Sequence, residues 1–292
     1  MESENKNLSV GNDIPYKWPK INGVMTYNKE EELMNYIKEN EYWIVTEKLH
    51  GYNCSVSSNG WIGSRNKIIG LKNDPDLSSK KFQGLSLEHV ASIFPKLDKF
   101  YEKIQKDFYP KTKFELVLYG ELMGSGTATS NLDIYNYRKK GYKIGHMYVF
   151  GLALIFKEKN YFSPMFYLGN VFKNENVYII PIDRYIQTLL ISCDIDSVQV
   201  WQPQLLQNIF THPYYVTQLM EQMSEGFVLS HIWGKGIIKW KYPTRTSDFQ
   251  DRSLKKMENI ALSDTEKKCV ENFRKIYQNI EISDSDSEIE LF

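Results

Sequence analysis

A lysine becomes a nucleophile where burial or a neighbouring cation favours its neutral amine. Lys48 stands at the end of a β-rich stretch in TEKLHGYN (residues 46–53), just before a turn marked by Gly51. A side chain there can project into a cleft; a solvated turn lysine is the plain alternative, because short motifs match by accident. Three other segments bear on that choice. LVLYGELMG brings Glu121 to the end of an apolar strand, EGFVLS opens a strand with Glu225 and Gly226, and IIKWKYP closes another with Lys239 and Lys241. Taken singly, a strand-end glutamate or a K-x-K pair describes a wet sheet edge. The two lysines sit two apart, however, and share one strand face, while Ile238, Trp240 and Tyr242 take the other. The strand is thus amphipathic, with the lysine pair as its polar side.

The elements that must hold these groups are legible in outline. Residues 30–40 read as a short helix, with Leu33, Tyr36 and Ile37 on one face. Strand signals follow at residues 42–47 and 54–57, and Asn59-Gly60 predicts a two-residue hairpin that returns through residues 61–64. Residues 87–108 read as helix interrupted near Pro95. Residues 114–122 and 146–156 are apolar strands, the second able to turn back through residues 158–162. Short strands and helices alternate from 177 to 223, and residues 227–231 and 237–240 form an antiparallel pair joined around residues 234–236. Beyond Tyr242 the pattern is helical, with a Ser263-x-x-Glu266 capping box ahead of Val270, Phe273, Tyr277 and Ile280. Strands separated by helices and hairpins, without regular βαβ alternation, predict an α+β domain built on antiparallel sheet.

Composition narrows the function. With 42% hydrophobic and 25% charged residues in 292, the chain is not mostly disordered. The 36 basic and 36 acidic residues cancel, yet residues 281–292 hold five acids and no base, so residues 1–280 carry +5. A phosphate-rich partner is therefore compatible with the body. The three cysteines are far apart, which argues against a disulfide framework or structural zinc and for a reducing interior. No apolar run reaches the roughly 18 residues of a membrane span, and the first residues lack a secretory apolar stretch. The expectation is a soluble intracellular protein with no membrane association.

Read in order, Lys48, Glu121, Glu225 and Lys239/Lys241 resemble the covalent nucleotidyltransferases: ATP-dependent DNA and RNA ligases and capping guanylyltransferases. The lysine motif there is K-x-D-G or K-x-H-G, and here it is Lys48-Leu49-His50-Gly51 followed by Asn53. Histidine in that place, with Glu47 ahead, resembles the phage-type RNA ligase 2 family, which includes the kinetoplastid editing ligases; DNA ligases and capping enzymes typically have aspartate. Ser64-Arg65-Asn66 is similar to the family's arginine motif, and Tyr148-Val149-Phe150 to the strand whose aromatic ring stacks on adenine. Six short motifs thus fall in order across about two thirds of the chain.

The resemblance implies an α+β nucleotidyltransferase (adenylation, ATP-grasp-like ligase) domain over residues 21–243. A flexible arm would precede it over 1–20, with a helical extension over 244–281 and an acidic, disordered tail over 282–292. It implies that Lys48 takes AMP from ATP, that AMP passes to the 5′-phosphate of an RNA end, and that a 3′-hydroxyl then displaces it. Lys239 and Lys241 would neutralise the α-phosphate and, by repulsion, favour the neutral amine of Lys48. Glu225 would lie near Mg²⁺, with Mn²⁺ able to substitute, and Asn53 would hold phosphate or metal-bound water. Glu121 would bind ribose, Arg65 the ribose or the sugar at the 3′ end, and Phe150 would give one face of the adenine slot. Glu47, Leu49 and the adjoining backbone would border the adenine edge, and His50 would serve the later steps on RNA. The implied substrates are RNA ends in nicked duplex RNA or RNA/DNA hybrids. Such ligases carry a further C-terminal domain, often an OB-fold; the 51 residues after Lys241 read as helix instead, so either this helical piece substitutes or, as resemblance to the editing ligases implies, a partner protein supplies RNA grip.

Competing readings are DNA ligation, guanylyl capping, or a non-catalytic RNA-end-binding module. The histidine of K-x-H-G counts against the first two, and the intact lysines and glutamates against the third. GSGTATS (residues 124–130) lacks the ending of a phosphate-cradling P-loop and reads as a connection. Residues 135–140 (YNYRKK) mix aromatics with bases; a solvated loop is the expectation, contact with RNA the alternative. His89, His146, His212 and His231 show no partner pattern and read as structural.

Overall fold

The computed structural model describes residues 8–19, 24–26, 43–123, 137, 140–157, 172–174, 176–201, 226–231 and 237–241. Among these residues a five-stranded sheet runs β1 (Val24–Thr26), β14 (Ile237–Lys241), β13 (Gly226–His231), β2 (Trp43–Glu47), β12 (Val200–Trp201). A seven-stranded sheet runs β10 (Phe172–Asn174), β11 (Val177–Pro181), β9 (Met147–Phe156), β8 (Phe114–Leu122), β3 (Tyr52–Ser57), β4 (Trp61–Gly63), β5 (Ile68–Leu71). Neighbours are antiparallel except β1 and β14, which pair in parallel. β6 (Lys81–Phe82) and β7 (Leu85–Ser86) form a small hairpin. Helices α1 (Leu87–Ala91), α2 (Phe94–Phe108) and α3 (Arg184–Ser192) complete the described elements, and the α+β expectation is met.

One face of the seven-stranded sheet carries the main core. Cys54, Val56, Leu116, Leu118, Leu152 and Leu154 alternate onto that face and meet Leu97, Phe100 and Ile104 of α2 and Ile186, Leu189 and Leu190 of α3. The break between α1 and α2 has a simple cause. Pro95 lies in the first turn of α2, where its missing N–H orphans nothing. Ile44 and Val200 of the five-stranded sheet join the same core and tie the two sheets together.

The hairpin after β3 differs from the expected two-residue turn. Val56 pairs with Ile62, Gly60 N–H donates to Ser57 O at 2.8 Å, and Gly60 has φ of 87° while Asn59 has no positive φ. A mirror-type turn would need positive φ at both central residues, so the loop takes three residues with glycine in the left-handed place.

The second face of the large sheet is where the expected loose arm lies. Ile14, Tyr16 and Trp18 pack there against Tyr119, Ala153 and Phe150. Tyr119 Oη donates to Tyr16 O at 2.9 Å. Trp18 sits over Gly151 so closely that a Cβ there would come within 2.1 Å of its ring. Residues 8–19 are thus laid against the sheet. The expected helix over 30–40, the turn at 158–162, the stretch 202–223 and everything from 242 onward lie outside the described residues.

Candidate active site

β2 belongs to the small sheet and β3 to the large one, so residues 48–51 are the four-residue connection between them. Alternation continues through it. Glu47 and Leu49 are buried, whereas Lys48 and His50 are partly open. Leu49 is sunk among Met123, Tyr137, Tyr142, Tyr148 and Val198, so its side chain anchors the connection and only its backbone is left to border a nucleotide.

On the small sheet the pairing register carries the pattern further. Phe227 is opposite Glu47 and Lys48 N–H donates to Gly226 O at 2.9 Å, while Gly226 is opposite Lys241 on its other side. Positions 48, 226 and 241 therefore form one row across three strands. Lys239 lies two positions along on the same face, in the row of Val228, Thr46 and Val200. The backbones of Lys48 and Lys241 are about 10 Å apart, two strand spacings. The residue between them is a glycine with φ of 145°, a conformation that side chains rarely adopt. Glu225, expected beside this row, lies outside the described residues, as does the side chain of Lys241.

On the large sheet Asn53 is directly opposite Glu121, which is opposite Tyr148. The connection hangs on this row, for Gly51 N–H donates to Glu121 Oε1 at 2.9 Å. Glycine is required there by space. A Cβ on Gly51 would lie 2.6 Å from Leu122 O and 2.8 Å from Glu121 Cγ. Gly51→Ala is accordingly expected to force the turn off β8, with about 1–3 kcal/mol lost from stability, typical of overpacking. Transfer chemistry at Lys48 should fall about 100-fold, the effect of misplacing a reacting group by an ångström. Denaturant titration and a single-turnover labelling rate check the two figures separately.

Phe150 owes its direction to a bulge. Gly120 pairs with Val149 and Tyr119 with Gly151, leaving Phe150 as the extra residue on β9. Bulges of this kind re-aim side chains. Phe150 packs on both minor clusters, edge-on to Trp18 with ring centroids 5.1 Å apart. Arg65 is exposed in the turn between β4 and β5, where Ser64 N–H donates to Lys67 O at 2.9 Å and Lys67 pairs with Asp13 at 2.7 Å.

Glu47 takes the face opposite Lys48, and its carboxylate is fully engaged. Oε1 pairs with the Lys140 ammonium and Oε2 accepts from Tyr142 Oη at 2.8 Å. Burial pushes the Lys140 ammonium below its ordinary pKa, opposed by the Glu47 charge, and pushes the Tyr142 hydroxyl up. Tyr137 is completely buried, and its hydroxyl accepts from His50 N–H at 3.0 Å and donates to Lys48 O at 3.4 Å. The expectation of a solvated loop at 135–140 is corrected at both of these residues: each is turned inward onto the lysine connection. An open pocket of about 390 Å³ borders Lys140 and is lined as well by Tyr142, Tyr148, Gln187, Ser197 and Gln199. His146 Nδ1 lies 2.8 Å from Asp196 Oδ2, and His231 stands edge-on to Trp43.

Among the described residues, no three His, Cys, Asp or Glu come together as a metal cluster. Of the two residues expected at Mg²⁺, Asn53 presents an oxygen donor of the hard type opposite Glu121, and Glu225 lies outside the described residues. That ion commonly takes one or two carboxylates and completes its shell with phosphate and water. The donor set thus fits a metal that arrives with a nucleotide.

These features describe a lysine on a short connection between two sheets, in one strand row with position 241 and tied through Gly51 to Glu121. Residues 41–241 match the RNA ligase family, and the chain belongs to that family. No curated protein matches the sequence. Among solved structures it is similar to Naegleria gruberi RNA ligase, in a variant with ATP and Mn at 15% identity and in a form with PPi at 16%. Both have a TM-score of 0.45, over 84% and 86% of this chain and 63% and 64% of those. It is also similar to a protein described as a candidate ATP-dependent DNA ligase from Aquifex aeolicus, at 13% identity and a TM-score of 0.45, over 94% of this chain and 64% of that one. The chain thus spans less than two thirds of the length of each.

Proposed function

We propose that the protein is an ATP-dependent RNA ligase that joins 3′-hydroxyl and 5′-phosphate ends through AMP carried on Lys48. The observation that carries this reading is the row Lys48–Gly226–Lys241, with Lys239 beside it on the same face. A glycine between the two lysine positions leaves room for a phosphate where a side chain would stand.

In the first step Lys48 Nζ, as the neutral amine, bonds to the α-phosphorus of ATP while the bond to pyrophosphate breaks. Lys239 and Lys241 offset the negative charge that grows on the α-phosphate oxygens, with no reorganisation needed at the moment of transfer. In the second step a 5′-phosphate oxygen of RNA takes the adenylyl group and Lys48 leaves as the amine. In the third the 3′-hydroxyl bonds to that 5′-phosphorus, AMP departs, and His50 and Arg65 attend the RNA end. Glu121 holds Gly51 through one carboxylate oxygen and offers the other to ribose. Phe150 supplies a ring face for adenine. Glu47, committed to Lys140 and Tyr142, bears on the adenine edge through the backbone that it fixes. Asn53 and Glu225 would hold Mg²⁺, or Mn²⁺ in its place, which neutralises the triphosphate when bound.

The domain limits follow the same reading: an adenylation domain over 21–243, a helical piece over 244–281 and an acidic tail over 282–292. RNA grip comes from that piece or from a partner protein. The test is sealing of a nicked duplex with ATP and Mg²⁺, varying the sugar on each side of the nick. Joining is expected with RNA at the nick, in duplex RNA or RNA/DNA hybrid, and at least tenfold slower with DNA on both sides. Equal joining of all-DNA nicks, or a requirement for GTP, would overturn the RNA assignment.

A further inference from the structure

We infer that the Tyr137 hydroxyl is a positioning group for Lys48, fixing the backbone that presents the amine to the nucleotide. The inference rests on the proposed adenylylation at Lys48. One oxygen atom serves both sides of Leu49: it accepts from the His50 amide at 3.0 Å and donates to the Lys48 carbonyl at 3.4 Å. The shorter bond is the stronger, and it is part-buried. The tyrosine cannot easily move, since its ring is fully buried in the cluster that holds Leu49 and stands edge-on to Tyr142, centroids 5.5 Å apart. The Lys140 ammonium lies 5.7 Å from the centre of the same ring while it pairs with Glu47.

Residues 137 and 140 therefore grip the chain on both flanks of Lys48, through Glu47 before it and His50 after it. The Gly226 and Glu121 contacts hold the remaining sides of the connection. Such a clasp matters to a nucleophile on a short link between two sheets, where small shifts of the backbone move the amine out of line with the phosphorus. The Tyr137 hydroxyl bonds run to the backbone on either side of Leu49, so the clasp should act on the rate of transfer more than on the strength of binding.

The test is Tyr137→Phe in the full chain, which keeps the ring and deletes only the hydroxyl. Lysyl-AMP formation is followed by rapid quench with labelled ATP over a range of ATP concentrations, and melting is measured in parallel. The rate at saturating ATP is expected to fall about tenfold, with half-saturation unchanged within twofold and the melting temperature still well above the assay temperature. Tyr137→Leu, which removes the ring as well as the hydroxyl, should be no faster than Tyr137→Phe. An unchanged rate would overturn the inference. So would an unchanged rate with weakened half-saturation, which would place Tyr137 against the nucleotide. A loss matched by unfolding at the assay temperature would make its role structural only and would also overturn it. If the wild type itself takes no label, the adenylylation reading has failed instead, which separates the two claims.

Discussion

Lys140→Met is expected to destabilise the protein by about 3–5 kcal/mol, the usual cost of breaking a buried ion pair from one side. The pair is deep: the side chains of Lys140 and Glu47 are 11% and 1% exposed. Methionine keeps most of the lysine's apolar stem, so the loss isolates the charge. The Glu47 carboxylate would keep the Tyr142 hydroxyl but lose its countercharge in a place where burial already weighs against an ammonium. Replacing both partners, Lys140→Met with Glu47→Leu, should recover most of the stability, since a buried pair exchanged for apolar groups is often neutral. Denaturant midpoints of the two single variants and the double variant at pH 7 decide the matter. A single variant within about 1 kcal/mol of wild type would mean that water reaches the pair and screens it.

Lys239→Ala should lower the rate of lysyl-AMP formation about 10²–10³-fold, the loss seen when one preorganised charge or donor leaves a transfer site. The reason lies in the register. Lys239 is opposite Val228, in a row with Thr46 and Val200, so the surface around it offers no second cation on that row. Because the charge on the α-phosphate grows as pyrophosphate departs, the rate should suffer more than ATP affinity. Lys239→Arg should recover part of the loss but not all, because a planar guanidinium replaces a compact point charge. Single-turnover labelling across ATP concentrations separates rate from affinity. A large fall in affinity at unchanged rate would make Lys239 a binding group only.

Much of this arrangement was legible from local pattern. β8 spans the expected residues 114–122, and Pro95 marks the helix break because a proline acts on its own turn. The shared face of Lys239 and Lys241 needed only the period of a strand. Where the sequence reading went astray, the deciding partner was far away along the chain. Tyr137 and Lys140 look solvated among YNYRKK, and their inward placement depends on partners 87 to 93 positions away. The docked arm over residues 8–19 depends on gaps at Gly63 and Gly151, which no pattern within the arm reveals. The bulge at Phe150 is likewise a property of the β8–β9 pairing.

A phosphoramidate bond at Lys48 is tested most directly by labelling with ATP that carries the label at its α-phosphate. Wild-type protein and Lys48→Ala are incubated with Mg²⁺ or Mn²⁺ after pyrophosphate treatment to clear any AMP already bound, then run on a denaturing gel. The account predicts label on the wild type, none on Lys48→Ala, and none from GTP. An unlabelled wild type under either metal, or label that survives Lys48→Ala, would contradict it.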